Sequence, residues 1–514
     1  MTRRITILAA GALAGLPAAA HAANHFNYGV AAAEVSSKSA RLWTRAQDTG
    51  TVKLRVGHRS FNLVATDAED RTVQRVVSGL KPSTSYRYFF SQSGHRSRVG
   101  HFRTAPSPKR NAAIRFAFSG DADAQPQSPG GPPFYNRFEV YDRMAREHNA
   151  FNINLGDTIY SDSEVGASVQ GGTFNPATQA LTVPEKWAKY KQNLALANLQ
   201  KVRAAAGMYN HWDDHEFLND FTRDELGGTI YDAGVQAFRD YMPVTFSPTR
   251  GIYRSFRWGR NLELFFLDER SFRSAKASAT SVCDNPDTHQ PDLAPAAPQR
   301  IRDIFGAIEP AFKNPINPAC LAALGDPART MLGADQLARF ERAVKRSKAT
   351  WKVIVNEVPI QQFYALPYDR WEGYEAERLK LVHFLQDNVK NSLFLTTDHH
   401  ANLVNTVKYT TLEDAGVKDS GIWDFATGPV ATRTFAKEID NALNRPGTAE
   451  LVNSAFFKPA PPNGIGMKCS SIDTYSYAQI KVTRKRFTLA LKDLNGKPVK
   501  QDGRSCGPYS LKAK

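Results

Sequence analysis

The residues best able to do chemistry in this sequence stand directly after short apolar runs. Acidic, imidazole, amide or phenol side chains follow five such runs: Asp121; Asp157 and Tyr160; Asp214 and His215; Asn356; Asp398 and His400. Singly, an Asp in such a place is more often a helix cap or a turn former. Together, five strand ends with oxygen and imidazole donors would crowd like charges unless a cation held them. The set therefore predicts a site for two metal ions.

These side chains converge only if the runs before them are neighbouring strands. Apolar runs at 114–118, 151–155, 262–267, 351–355 and 392–395 predict strands, and helical spacing of apolar residues predicts helices at 139–147, 185–206 and 334–347. This alternation indicates a layered α/β domain whose sheets are buried on both faces. Ligands of open α/β sheets bind outside the carboxyl ends of the strands. Gly120 and Gly156, each just before an acid, would allow the sharp turns that aim those acids at one centre.

The rest of the chain divides around this catalytic region, which we place at 112–495. Residues 27–104 carry short alternating runs typical of an all-β sandwich domain, and Gly79 to Tyr88 resembles the strand corner of a fibronectin type III-like or immunoglobulin-like domain. A Pro- and Ala-rich segment at about 277–328 is predicted to be a surface insertion. Residues 496–514 form a C-terminal tail.

The first residues predict export. Arg3 and Arg4 form a positive head, an apolar run extends to Ala19, and Ala20-His-Ala22 offers a cleavage site. This pattern is typical of a signal peptide at 1–22 and is too short for a comfortable membrane anchor. The paired arginines also resemble a twin-arginine signal. We therefore expect the export machinery as a partner and a periplasmic or secreted protein.

The cysteines and the net charge indicate the cellular compartment and the kind of binding partner. The four cysteines suit two disulfides in an exported protein, and nearness in sequence favours Cys283–Cys320 and Cys469–Cys506. A formal net charge of +16 favours anionic partners such as phosphate esters, nucleic acid or acidic lipid. The sequence lacks the interleaved basic and aromatic stretches of nucleic-acid binders, and no later segment reaches membrane-spanning length. We therefore predict a phosphate ester substrate and no stable nucleic-acid or membrane partner.

The strings at the strand ends resemble those of a known family. Leu155-Gly-Asp-Thr-Ile-Tyr160, Trp212-Asp-Asp-His-Glu216, Leu267-Asp-Glu-Arg270 and Asp398-His-His400 occur in that order. In these strings, and over nearly its whole length, the chain resembles the PhoD-like alkaline phosphatases of the calcineurin-like metallophosphoesterase superfamily. The resemblance implies a β-sandwich flanked by helices and an exported metal-dependent phosphoesterase acting on phosphomonoesters, phosphodiesters or both.

The resemblance also implies a role for each matching residue. Asp157 would bridge two metal ions. Asp121, Tyr160 and His400 would hold the first ion, and Asp214 and Asp398 would hold the second. His215 would be the catalytic histidine that assists the transition state or protonates the leaving group. Asn219, Arg270 and Asn356 are weaker candidates for substrate contact, since turn-forming and ion-pairing roles are commoner for such residues.

Two positions depart from the family pattern. Asp121 stands where family members with a ferric site typically have a Cys. A carboxylate in place of a thiolate makes the set of metal ligands harder, in the sense of hard and soft ligands. Because Tyr160 remains and a phenolate favours Fe³⁺, we expect Fe³⁺ with Ca²⁺, or other divalent ions. Thr397 stands where a Gly is usual, but the Asp-x-His spacing favours Asp398 with His400 over His399.

Other functions fit part of the pattern. A phospholipase D-like diesterase would use the same metal site and a basic surface. A non-catalytic binding protein with structural metals would need closed coordination, and His215 beside the ligands argues against it. A covalent serine mechanism has no support, because we find no G-x-S-x-G string.

Overall fold

The structure is a computed structural model that describes residues 25–165, 179–307 and 309–514. The predicted signal peptide at 1–22 lies outside the described residues. Among the residues described, no helix is both long and apolar enough to cross a membrane.

Strands make up most of the regular structure. They are β1 Val30–Ala33, β2 Ser39–Arg45, β3 Gly50–Val56, β4 Arg59–Ala65, β5 Thr72–Ser78, β6 Ser85–Gln92, β7 His95–Arg96, β8 Gly100–Arg103, β9 Ile114–Ser119, β10 Phe151–Leu155, β11 Gly207–His211, β12 Arg254–Trp258, β13 Leu262–Phe266, β14 Trp351–Val355, β15 Ser392–Thr396, β16 Asn402–Thr410, β17 Lys418–Ala426, β18 Cys469–Ser471, β19 Ser476–Val482, β20 Arg486–Asp493, β21 Lys500–Gln501, β22 Arg504–Ser505 and β23 Tyr509–Lys512.

The helices lie mainly between strands of the catalytic region. They are α1 Glu139–Arg146, α2 Val183–Leu194, α3 Ala197–Ala205, α4 Arg223–Leu226, α5 Gly228–Tyr241, α6 Gln299–Phe305, α7 Pro318–Leu324, α8 Ala334–Arg346, α9 Glu375–Asn388, α10 Phe435–Ala442 and α11 Thr448–Val452. The single helix predicted at 185–206 is wrong, because α2 and α3 are separated at Ala195 and Leu196, where Leu196 has extended backbone angles.

Two sheets face each other and form the sandwich that carries the candidate site. The first sheet runs in the order β23-β20-β19-β9-β10-β11-β1-β2-β5, and the second in the order β12-β13-β14-β15-β17-β16-β18. Strands β9, β10 and β11 are parallel to one another, as are β13, β14 and β15. The carboxyl ends of each parallel set therefore lie along one edge of its sheet.

The space between these sheets is filled by aromatic and aliphatic side chains. Phe118, Ile153 and Leu155 from the first sheet pack in one buried cluster with Val353 and Leu395 from the second. β10, β11 and β14 are buried along their whole length. β14 is a largely apolar run, as expected for a strand buried on both faces, whereas β10 alternates apolar residues with Asn152 and Asn154 although both of its faces are buried.

Helices cover the outer face of each sheet. Apolar residues of α1, α2, α3 and α5 join one cluster with residues of the first sheet. Residues of α8 and α9 join another with residues of the second sheet. The resulting order is helices, sheet, sheet, helices, which is the layered α/β architecture predicted from the alternation of strands and helices.

The N-terminal strands form two sets. Strands β3, β4, β6, β7 and β8 form a sheet of their own, whereas β1, β2 and β5 extend the first sheet of the sandwich. The connection is direct, because β1 pairs in parallel with β11, Ala32 opposite Gly207. This continuity was not predicted. The region is all-β, while its likeness to a fibronectin type III domain stays a prediction.

Both disulfides follow the nearest-neighbour pairing. Cys283 bonds to Cys320 within the predicted insertion, and Cys469 bonds to Cys506. The second bond attaches β18 to the segment that follows β22 near the C-terminus.

Candidate metal centre

Four strand-end loops bring the predicted ligands together. The amide N–H of Asp398, after β15, lies 3.4 Å from Asp121 Oδ1, after β9. The amide N–H of His215, after β11, lies 3.3 Å from Asp157 Oδ1, after β10. Thr397, which replaces the expected glycine, donates its hydroxyl to the carbonyl oxygen of Leu155 at 2.6 Å. These bonds join ends of both sheets at one edge of the sandwich.

The backbone at this edge takes an uncommon conformation. Asp121, Asp157, Asp398 and His400 all have φ between 48° and 67°, in the left-handed region. That region is uncommon for residues other than glycine and costs of order 1–3 kcal/mol at each position. Four such residues meeting in one place indicate a site where side-chain direction outweighs local backbone preference.

Gly156 meets the expectation of a sharp turn. Its φ is +77°, and a Cβ there would lie 2.7 Å from Cβ of Asp213. Gly120 has no positive φ, but a Cβ there would lie 2.2 Å from the carbonyl oxygen of Leu155. The two glycines thus allow the loops after β9, β10 and β11 to pack against each other.

Tyr160 lies between two of the predicted ligands. Its hydroxyl donates to Asp157 Oδ2 at 2.9 Å and lies 2.9 Å from His400 Nε2. The other ring nitrogen of His400 is hydrogen-bonded to Glu438 on α10, which fixes the direction of the ring. Burial raises the pKa of the Tyr160 hydroxyl well above its usual value, and the charges of Asp157 and Asp121 add to that effect.

Two groups of converging donor atoms share Asp157. Asp121, Asp157 and His400 form one group and Asp157, Asp214 and His215 the other, with the donor atoms of each group within 4.8 Å of one another. Asp121 Oδ2 is buried and has no hydrogen-bond partner among the residues described. An unpaired buried carboxylate oxygen is costly, and a cation would offset that cost. The donors present therefore fit bound metal ions, and Asp157 is common to both groups.

The charges of this cluster are strongly perturbed. Burial raises the pKa of Asp121 well above its usual value, and the charges of Asp157 and Asp398 add to the shift. Burial likewise raises the pKa of Asp157, with Asp214 adding to the effect. Acids that are hard to ionise side by side are a typical environment for a bound cation.

His215 is held by a carboxylate that sequence reasoning did not single out. Its Nδ1 lies 2.5 Å from Asp162 Oδ1, and its ring lies against Tyr160 with ring centroids 4.1 Å apart. Burial alone would lower the pKa of His215, but Asp162, Asp157 and Asp214 raise it well above its usual value. These three carboxylates therefore favour the protonated form of the His215 imidazole. Asp162 lies two residues after the Gly-Asp-x-x-Tyr string that ends at Tyr160, and this nearness was the available signal.

Arg270 lies behind the carboxylates, where it forms buried ion pairs. Its side chain is 0% exposed and pairs with Asp213 and, through two hydrogen bonds of 2.7 and 2.8 Å, with Asp369. It also lies 3.7 Å from Asp214 and 3.5 Å from Asp398. Although burial favours the neutral acid, Arg270 lowers the pKa of Asp214. The phosphate contact suggested for Arg270 is not supported, because its guanidinium is enclosed by these acids.

The two asparagines lie in different surroundings. Asn219 is exposed at the cavity over the metal centre, and its backbone N–H donates to Asp162 Oδ2 at 2.7 Å. Asn356 is buried, does not line that cavity, and donates from Nδ2 to the carbonyl oxygen of Val358 at 3.4 Å. Only Asn219 is therefore placed near an incoming substrate.

The cavity has a volume of about 430 Å³ and a charged wall. Residues found only through the structure include Arg370 and Arg433, which line it. Asp220 and Asp369 form a third group of converging oxygens with Asp214. No sequence pattern marked these residues, because they come from loops and helices outside the strand-end strings.

His399 turns away from this cavity, which leaves His400 in the donor group.

Comparison with known proteins gives consistent results. A family model described as PhoD-like phosphatase matches residues 130–490, and one described as PhoD-like phosphatase, N-terminal domain, matches residues 10–106. Alkaline phosphatase D of Bacillus subtilis (strain 168) is 26% identical over 423 residues, which cover 73% of this chain and 64% of that protein. The chain thus spans less than two thirds of this relative's length.

Solved structures share the fold. A structure of PhoD superposes with a TM-score of 0.70 at 21% identity, covering 96% of this chain and 90% of that one. A purple acid phosphatase from yellow lupin (Lupinus luteus) seeds superposes with a TM-score of 0.55 at 10% identity, covering 94% and 74%. With the family model matching most of its length, the chain belongs to the PhoD-like phosphatase family.

Proposed function

We propose that this protein is an exported metal-dependent phosphoesterase of the alkaline phosphatase D type, which hydrolyses phosphomonoesters, phosphodiesters or both. The observation that carries the proposal is the pair of donor groups that share Asp157, the second of which includes His215, itself hydrogen-bonded to the Asp162 carboxylate. Membership of the PhoD-like phosphatase family supports the reaction class.

We infer the metal ligands from these donor groups together with the family resemblance. Asp121, Asp157, Tyr160 and His400 would hold the first ion, and Asp157, Asp214 and Asp398 the second. A phenolate and hard carboxylates favour Fe³⁺ at the first position, and an all-carboxylate set suits Ca²⁺ at the second. When bound, such ions supply an activated water and offset charge on the phosphoryl group.

The chain's own residues would then orient the substrate and protonate its leaving group. Asp162 holds Nδ1 of His215, so the other ring nitrogen can give a proton to the leaving oxygen. Arg370 and Arg433 line the cavity and provide positive charge for the phosphoryl oxygens, although Arg433 also pairs with Glu164. Asn219 lies at the mouth, where it can contact the ester.

Export is proposed on two grounds. The two disulfides suit an oxidising compartment. The pattern of the first residues suits a cleaved, twin-arginine-like signal. A periplasmic or secreted location follows from both.

The decisive experiment replaces the shared carboxylate. Asp157→Asn should abolish turnover of p-nitrophenyl phosphate and bis(p-nitrophenyl) phosphate and lower the metal content per chain, while the protein still folds and is exported. Asp335→Asn is the matched control, since the Asp335 side chain is 90% exposed on α8. Wild-type turnover in Asp157→Asn would refute the paired-metal site. Elemental analysis of the wild type should find about two metal ions per chain, and an iron-tyrosinate absorption band would support Tyr160 as a ligand.

A further inference from the structure

A second cavity, apolar in character, adjoins the metal centre. It has a volume of about 200 Å³ and is lined almost entirely by carbon, with Phe305, Phe312, Phe363, Phe435 and Phe457 among its walls. The predicted insertion contributes one wall, through Leu293 to Phe312, and α10 contributes another. An apolar cavity of this kind is typical of a small-molecule subsite.

The apolar cavity and the metal cavity adjoin each other. Leu366, Arg370 and Ala442 line both. The neighbouring histidines point to different cavities, His400 to the metal centre and His399 to the apolar wall, where its ring lies 4.5 Å from that of Phe363. A molecule with its phosphorus at the metal centre could therefore extend an attached group directly into the apolar cavity.

The boundary between the cavities is formed by an unusual leucine. Leu366 is 47% exposed and has φ 49°, in the left-handed region where a leucine is uncommon. Leu293, 42% exposed, lies on the same apolar wall. Exposed apolar side chains beside an open cavity, one of them held in a costly conformation, indicate a surface that a ligand covers.

One polar atom lies in this apolar wall. Nδ1 of His399 is 3.1 Å from Asp398 Oδ2, while its Nε2 is buried and has no hydrogen-bond partner in the described part of the chain. The ring is 2% exposed. An unpaired buried nitrogen on a residue that lines the apolar cavity is a position that a polar atom of a bound ligand would satisfy.

We propose that the apolar cavity binds one alkyl or aryl arm of the substrate ester, so that the enzyme prefers phosphate esters carrying an apolar substituent. The inference rests on the proposed function, because it places the phosphoryl group at the metal centre. Arg370, which lies in both walls with its guanidinium 5.8 Å from the Phe363 ring, would contact the substrate where its charged and apolar parts meet.

The test is direct binding of n-alkylphosphonates, from methyl to octyl, to the purified full chain with its metals, by calorimetry below the micelle concentration. Each methylene that enters the cavity should tighten binding by about fourfold, until the cavity is full. A Kd that changes less than about 1.5-fold per methylene would overturn the proposal.

Two variants separate the cavity from general hydrophobic binding. Leu366→Asn removes apolar surface in a conformation that asparagine tolerates, and Ile439→Trp fills the cavity from α10. Both should flatten the chain-length dependence, and Ile439→Trp, whose position does not line the metal cavity, should also leave methylphosphonate binding within about twofold. Val417→Asn is the control. Val417 lies outside the cavity and is 48% exposed, about as much as Leu366, so this variant should keep the wild-type slope. A wild-type slope in both cavity variants would also overturn the proposal.

Failure of the proposed function is distinguishable from failure of this inference. Turnover of p-nitrophenyl phosphate and bis(p-nitrophenyl) phosphate is measured on the same preparation. Turnover with a flat alkyl series would overturn the apolar subsite alone. A steep alkyl series that the two variants flatten, in a protein without turnover, would support the cavity as a binding site and refute the proposed hydrolysis.

Discussion

Replacing Asp162 by Asn isolates the proposed acid from the metal ligands. Asp162 contacts His215 Nδ1 at 2.5 Å and accepts the backbone N–H of Asn219, but it belongs to neither donor group that shares Asp157. An asparagine oxygen can still accept one of these hydrogen bonds, so the fold should persist. What the substitution removes is a negative charge beside the imidazole.

The magnitude follows from the role of that charge. General acid catalysis contributes about 10²–10⁴-fold, and the buried carboxylate both orients the ring and favours its protonated form. We expect kcat for alkyl phosphates to fall by about 10- to 100-fold, or about 1.4–2.7 kcal/mol. Asp162 is among the groups that raise the pKa of His215, so its loss lowers that pKa. Because an acid works while protonated, the alkaline limb of the kcat profile should move to lower pH.

The assay compares leaving groups over a range of pH. An alkyl alcohol needs a proton as it leaves, whereas p-nitrophenolate hardly does, so the loss with p-nitrophenyl phosphate should stay below about fivefold. Asp123→Asn is the control: Asp123 is a buried carboxylate of the same cavity, hydrogen-bonded to Ser163 at 2.5 Å and not to His215. Equal losses for both leaving groups, or an unmoved alkaline limb, would refute the assignment of His215 as the acid.

Three further substitutions test a glycine turn, a set of buried ion pairs and a hydrogen-bonded carboxylate. Gly156→Ala should lower the melting temperature, because alanine would take a left-handed φ with its Cβ 2.7 Å from Asp213; an unchanged melting temperature would contradict this. Arg270→Met should destabilise the protein by about 3–5 kcal/mol in urea unfolding, since it leaves buried acids unpaired, whereas a rise in KM alone would instead indicate substrate contact. Asp70→Asn should lower the melting temperature at pH 7, because the Asp70 carboxylate accepts hydrogen bonds from Arg45 at 2.8 Å and from Tyr241. Burial favours the neutral acid, but these bonds outweigh it. The Asp70 pKa is lowered to about 2, so the deficit should shrink as the pH falls from about 4 toward 2, and a constant deficit would contradict it.

The sequence predicted the inner strands and their site residues well, for a physical reason. β14, which is buried on both faces, is a short and largely apolar run, and β10 has apolar residues at alternate positions. The residues that follow such strands must lie at one edge of the sandwich. Asp121, Asp157 and His400 were predicted on that basis, and the structure brings them together. Their roles as ligands stay predictions until metal content is measured.

What the sequence did not reveal depends on long-range packing. Glu438 orients His400 from a helix 38 residues away, and Asp369 meets Arg270 across 99 residues. No periodicity or spacing marks such pairs, since each partner alone is an ordinary acid in a helix or loop. The pairing of β1 with β11 was missed for the same reason, because parallel strands far apart in sequence share no turn that would signal their contact.

The arrangement of charge at this edge explains why the cluster favours cations. The Arg270 guanidinium is buried behind the site, where it forms ion pairs with Asp213 and Asp369. Asp121 and Asp157 face each other on the cavity side, with raised pKa values and left-handed backbones that hold them there. A chain that only needed stability would relax such a loop or replace an acid by an apolar residue. The cost is retained at four residues after three strands, and bound cations are the partners that would offset both the charge and the conformational cost.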